Sequence, residues 1–169
     1  MKALAGGLAA LFLCACTQAA DCGFAPLPLS ASAAAPNVFV GKGQHLEVSF
    51  TNENPEIKEP DAFPEPPVVL RDTASGKGCN IEDGGIWARE PLYLSRDEKR
   101  LVTFEYSGSN SELVAYDTAT CKAVHRLDVS GKRAAVVGEQ LVLGSQCDGD
   151  SLGSCKKQAR QPVQPFCKP

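Results

Sequence analysis

The stretch "LVAYDTATCKAVHRLDVSGK" (Leu113 to Lys132) constrains the fold of this chain more than any other part of it. Apolar and polar residues alternate on both sides of "DTATCK", the period of half-buried strands interrupted by a turn. Asp and Thr side chains bond back to their own backbone, so the intervening residues make a tight reversal. The pattern recurs: "VVLRDTASGKGCNI" (Val68 to Ile81) places Asp72-Thr73-Ala74 at an offset of 45 residues from Asp117-Thr118-Ala119. A second element occurs three times, as "GQHLEVSFTNEN", "EKRLVTFEYSGSN" and "GEQLVLGSQCDGD", with Leu46, Leu101 and Leu141 in equivalent positions. The unit is a strand, a polar loop, a strand and a turn. Its third copy is degenerate, with "GSCKKQARQPV" where the Asp-Thr-Ala hairpin would stand. No window beyond the N-terminal segment keeps a 3.6-residue apolar period between prolines, so no helix is predicted there.

Within this unit, "LYLSRDEKRLVTF" followed by "ELVAYDTATCKAVHRL" resembles one blade of a WD40-like or YVTN-type β-propeller. Ser95, Asp97, Lys99, Tyr116, Asp117, Thr118, Thr120 and Lys122 match the turn and hairpin of such a blade. Arg96, Glu98 and Cys121 depart, replacing its proline and both glycines. The offset fits the roughly 40–45-residue blade period, but a closed propeller needs about four blades and residues 38–169 hold only three. The expectation is an all-β, disulfide-stapled antiparallel β-meander of about three blade-like repeats, arranged as an open or partial propeller or as a sandwich. Leu46, Val48, Phe50, Val69, Leu92, Leu94, Leu101, Leu113, Val124, Leu127, Val136 and Leu141 are its predicted core. Trp87 is expected to anchor a loop onto the sheet. The resemblance implies no particular function, since such scaffolds host many.

The N-terminus sets the compartment. Lys2 precedes an apolar segment from Ala3 to Leu13, which has the length of a signal-peptide core and is too short to span a bilayer, which takes roughly 20 residues. Leu13-Cys14-Ala15-Cys16 resembles the bacterial lipobox, and that resemblance implies cleavage of residues 1–15 and acylation of Cys16. Thr17 after the acylated position implies outer-membrane sorting. The alternative is ordinary secretion into the periplasm with cleavage after Ala19 or Ala20. Either way Cys22, Cys79, Cys121, Cys147, Cys155 and Cys167 remain. An even set in an oxidising compartment predicts up to three disulfides, whose pairing the sequence leaves open. Residues 16–37 read as anchor and tether, being rich in Ala, Ser and Pro, and residues 38–169 as the β domain.

Formal charge is −3 for the full chain, which offers no basic patch for nucleic acid. The acids concentrate in "ENPEIKEPDAFPEPP", where Glu56, Glu59, Asp61 and Glu65 are the candidate partner-binding residues. Chemistry is otherwise sparse. His45 and His125 have no local catalytic partners, and neither a nucleophile elbow nor a phosphate loop is present. Asp148 and Asp150 in "CDGDSLG" stand at calcium-loop spacing, but Leu152 takes the next ligand position and no glutamate closes the loop. They are the only candidate metal ligands, and no cofactor is implied. Glu105, Glu112 and Asp117 could approach one another across strands.

The leading expectation is a non-enzymatic envelope lipoprotein with a membrane anchor and a protein partner, or a structural role. The alternatives are an immunity or inhibitor lipoprotein acting on a toxin or hydrolase, a small-ligand or ion binder, and a hydrolase with a cryptic site.

Overall fold

A computed structural model describes residues 22–64 and 67–168. The strands fall into three antiparallel sheets that follow the sequence repeat. The first sheet runs β2 (Ser30–Ala31), β3 (Val38–Lys42), β4 (Leu46–Thr51), β6 (Val68–Asp72) and β7 (Gly78–Ile81). The central sheet runs β1 (Ala25–Pro26), β9 (Tyr93–Leu94), β10 (Arg100–Ser107), β11 (Asn110–Asp117) and β12 (Ala123–Asp128). In it β8 (Ile86–Ala88) also pairs with β10, and β5 (Ala62–Phe63) pairs with β8. The third sheet is β13 (Arg133–Val137), β14 (Gln140–Cys147) and β15 (Cys155–Pro162). Leu46, Leu101 and Leu141 lie on β4, β10 and β14, each the second strand of a consecutive meander. The degenerate third copy ends one strand short, at β15.

The sheets bury two cores, one on each face of the central sheet. Leu101, Val114, Tyr116 and Trp87 meet Val48, Phe50, Val68 and Leu70 of the first sheet. Val102, Phe104, Leu113 and Ala115 meet Leu141 of the third sheet, with Val163 and Phe166 from the C-terminal segment. Each buried Leu or Phe side chain stabilises the fold by about 1.5–3 kcal/mol. Val69 and Val124 were expected in the core, yet both are exposed. Val69 sits between buried Val68 and Leu70 on β6, so the strand period turns it outward. Trp87 lies within β8 and is fully buried, and the Gly84 backbone of the preceding loop packs directly on its indole, as expected of a loop anchor. Two short helical turns also occur, α1 (Gln164–Cys167) and a 3-10 turn over Leu152–Ser154, where no helix was expected. Each is a single turn held by a neighbouring disulfide cysteine, too short to leave a period in the sequence.

The expected tether differs as well. From Cys22 onward the chain belongs to the fold: Phe24, Leu27 and Leu29 are buried, and β1 and β2 join the central and first sheets. Alternating Leu and Pro in "FAPLPLS" insert apolar side chains while needing few ladder bonds, a pattern that composition alone reads as a linker.

Six cysteines form three bridges: Cys22–Cys167, Cys79–Cys121 and Cys147–Cys155. The first joins the N-terminal segment to α1, the second joins β7 to the β11–β12 turn, and the third closes the β14–β15 connection. The two repeat turns are built alike. Gly76 N–H donates to Asp72 C=O at 2.9 Å, and Cys121 N–H donates to Asp117 C=O at 2.8 Å. Gly76 has φ +70°, and Cys121 has φ +57° at the equivalent place. Glu98 fills the other glycine position of the blade-like turn, with φ +55°. A side chain in this left-handed region costs roughly 1–2 kcal/mol. Both residues use that side chain to hold the first sheet: Cys121 bonds Cys79, and the Glu98 carboxylate accepts N–H bonds from Gln44 and from His45. A Cβ at Gly43 would run into that carboxylate.

Two predictions follow from the turns. Once the Cys79–Cys121 bridge is removed, Cys121 keeps its backbone strain without its function. Cys79→Ala/Cys121→Gly should therefore be about 1 kcal/mol more stable to urea than Cys79→Ala/Cys121→Ala. Equal midpoints would show that position 121 relaxes out of the left-handed region. The second concerns acid. Asp72 and Asp128 are held below the usual carboxylate range by hydrogen bonds from Ser75 and Ser130. In Asp97 and Asp117 burial pushes upward, but bonds from Ser95 and Thr120 and the charges of Lys99 and Arg100 outweigh it. A depressed folded-state pKa gives stability that is present above the unfolded value of about 3.9 and lost as pH falls through the folded one. Urea midpoints should fall steadily below about pH 4, and less steeply in Asp117→Asn.

Candidate partner-binding surface

The acidic segment is the connection between β4 and β6, and its first half is an ordered scaffold. Asn52 is buried, and its amide donates to the Ile57 carbonyl at 2.6 Å while its Oδ1 accepts the Asn54 N–H at 3.1 Å. Asn54 Oδ1 accepts the Glu56 N–H at 3.0 Å. These side chains replace ladder partners and fix the loop, the usual reason Asn occupies turns. The loop holds Ile57 in solvent, 49% exposed, beside Glu56. The "NENPEI" spacing is the sequence signal for this scaffold.

The acids do not form one patch. Glu56 is exposed in solvent. Glu59 forms an ion pair with Arg89, whose guanidinium lies 5.2 Å from the centroid of the Phe39 ring. Asp61 lies where β5 meets β8, its carbonyl accepting the Arg89 N–H at 2.8 Å. Glu65 falls outside the described residues, as does Cys16.

Asp148 and Asp150 point to cations of the chain itself rather than to a shared centre. Asp148 lies 3.3 Å from Lys156, and Asp150 pairs with Arg133. No group of three metal-ligating side chains occurs among the described residues. His45 is exposed. His125 on β12 packs edge-on against Phe166, with centroids 4.7 Å apart.

Glu105 and Glu112 stand directly opposite each other on β10 and β11, whereas Asp117 lies apart and pairs with Arg100 at 2.7 Å. Glu105 is 3% exposed. One of its oxygens accepts bonds from Thr103 Oγ1 at 2.7 Å and from the Tyr116 hydroxyl at 2.6 Å. Arg126 reaches Glu112 at 2.9 Å and Glu105 at 3.7 Å. Burial first, then Glu105, pushes the Tyr116 hydroxyl far above its ordinary range, so it stays a donor. In this buried network one carboxylate oxygen is held by two neutral donors and the other faces Arg126. Removing one donor leaves the charge under-solvated, so Tyr116→Phe should cost about 2 kcal/mol in chemical denaturation. A loss below about 0.5 kcal/mol would mean that water or Arg126 replaces the hydroxyl.

A cleft of about 750 Å³ collects residues from all three repeats. Asp61 comes from the β4–β6 connection, Phe104 and Tyr106 from β10, and Asp150 and Leu152 from the β14–β15 connection. The acidic loop and the Asp148/Asp150 loop, far apart in sequence, thus border one space.

Comparison with known proteins places the chain in a family. The profile of the family described as "Immune protein Tsi1" matches residues 22–167, from the first disulfide cysteine to the last. The curated protein "Immune protein Tsi1" of Pseudomonas aeruginosa is 52% identical over 168 residues, covering 99% of this chain and 98% of the relative. A match of that extent includes every sheet, all three bridges and the loops around the cleft, and the chain belongs to the Tsi1 immune-protein family.

Proposed function

We propose that this chain is an immunity protein that binds a protein toxin in the cell envelope and blocks it, without catalysing a reaction itself. The carrying observation is the 52% identity, over nearly its whole length, to a protein named for immunity. A disulfide-bonded β domain with satisfied polar networks and ordered charged loops supports a binding role. The six paired cysteines support an exported, oxidising location. Within that location the chain is either anchored through an acylated Cys16 or soluble in the periplasm. The toxin is met by the loop that carries Glu56, Glu59, Asp61 and Glu65, with Ile57 as its apolar contact. An apolar side chain on an ordered loop binds without a large ordering cost.

The test is growth protection. Secreted toxins of the producing bacterium are expressed one at a time in the periplasm of a surrogate host, with and without the full chain. The expected result is one toxin tolerated only in the presence of the chain, with which it forms a stoichiometric complex. Protection against none of them, or protection without a complex, would overturn the proposal.

A further inference from the structure

The three sheets differ at one edge. β2 covers the outer edge of β3, and β1 covers that of β9, each as a strand of two residues. In the third sheet β13 holds the same place, and among the described residues it pairs with β14 alone. The alternation of its bonds is fixed by its turn. Val137 and Gln140 flank a two-residue turn with Gly138 at φ +62°, so they bond to each other. Arg133 and Ala135 then bond to β14 as well, while Ala134 and Val136 direct N–H and C=O away from it. On that outer side the Val136 N–H donates to the Tyr93 hydroxyl at 3.0 Å. The Ala134 N–H has no acceptor among the described residues. The cleft runs along this edge. Lys132 to Ala135 line it with Ala88 to Pro91, the connection that leads into Tyr93 and so lies outside β13. Phe104 and Tyr106, 5.0 Å apart between centroids, are its floor. Its charged lining is balanced, with Asp61, Glu90 and Asp150 against Arg89, Lys132 and Arg133, so charge selects no occupant. The open backbone edge does.

We infer that a short extended segment of the toxin adds to β13 as an outer strand in this cleft, bonded to the main chain of Ala134. The inference rests on the immunity reading for the owner of that segment. An unpaired strand edge is a template for another chain. Strand addition is a recurring mode of recognition, in which main-chain bonds give affinity and alternate side chains give specificity. The side chains of Ala134 and Val136 pack towards the core beneath the cleft. The toxin residue beside Ala134 therefore faces the Phe104–Tyr106 floor and is apolar, while its two neighbours face away. Ala134 is small and leaves that floor open. The N-terminal strands of the chain itself are committed elsewhere: Cys22 is fixed by its bridge to Cys167, and β1 and β2 serve the other two sheets. The toxin is at hand, because Asp61 belongs both to the cleft and to the loop assigned to toxin contact above.

Two measurements test this. Amide hydrogen exchange is followed by NMR on the isotope-labelled protein, free and in complex with the toxin identified by growth protection. In the free chain Ala134 should exchange fast and Val136 slowly. In the complex Ala134 should slow at least about tenfold, with Val136 unchanged. The second measurement uses Ala134→Pro, which deletes an outward N–H that β14 does not use, a change that edge strands accept. Its melting temperature should stay near that of the wild type, and its affinity for the toxin should fall about tenfold, the worth of one main-chain hydrogen bond. Should the variant not fold, the exchange measurement decides alone. Unchanged Ala134 exchange in a complex that still protects cells would overturn the strand addition while leaving the immunity function standing. Slow Ala134 exchange in the free chain would overturn the toxin as occupant, in favour of a second copy if it depends on protein concentration and of the chain itself if it does not. Protection against no toxin would overturn the immunity reading and the occupant together.

Discussion

The burial of β10 and β11 on both faces is the constraint on which the rest of the structure depends. Six consecutive residues of β10, Arg100 to Glu105, are buried, and so are Val114 and Ala115 at the middle of β11. A strand with one wet face tolerates polar residues there. This hairpin has no wet face over most of its length. Its polar side chains must therefore be partnered inside the protein. Arg100 takes Asp117, and Thr103 and Tyr116 take Glu105. The first and third sheets are held to one framework because both close on this hairpin.

A stack of sheets built only on apolar contact could slide, because the hydrophobic effect has no direction. The turns supply the direction. In the second repeat, Glu98 and Cys121 stand where glycine would be conformationally easier, and each reaches across to the first sheet. At the other face, Cys22–Cys167 ties the N-terminal strand segment to α1, and Phe166 of α1 rests against His125 of β12. Backbone strain at two positions is thus exchanged for cross-links that fix the register of the sheets.

This rigidity suits the binding role proposed for the chain. A loop already ordered in the free state loses little conformational entropy on complex formation. Asn52 and Asn54 give the acidic loop that property, and the third bridge gives it to the β14–β15 connection. The charges of these loops are spread over several ion pairs within the chain, Glu59 with Arg89, Asp148 with Lys156 and Asp150 with Arg133.

The sequence by itself determined the β class, the three-part repeat and the six structural cysteines. Each of these is written in local signals: alternation, Asp-Thr turns and an even cysteine count. It also marked the acidic loop and the Glu105–Glu112 approach as places to look. Only the tertiary structure decided that Val69 and Val124 are exposed, that residues 22–29 are packed rather than a tether, and that Trp87 is core. It alone assigned the cysteine pairs and split the acidic run between solvent, Arg89 and the cleft. The physical reason is range. A turn or a strand period is set by neighbours in the chain. Which face of a strand meets another sheet, and which cysteine meets which, depends on segments up to 145 residues apart that only folding brings together.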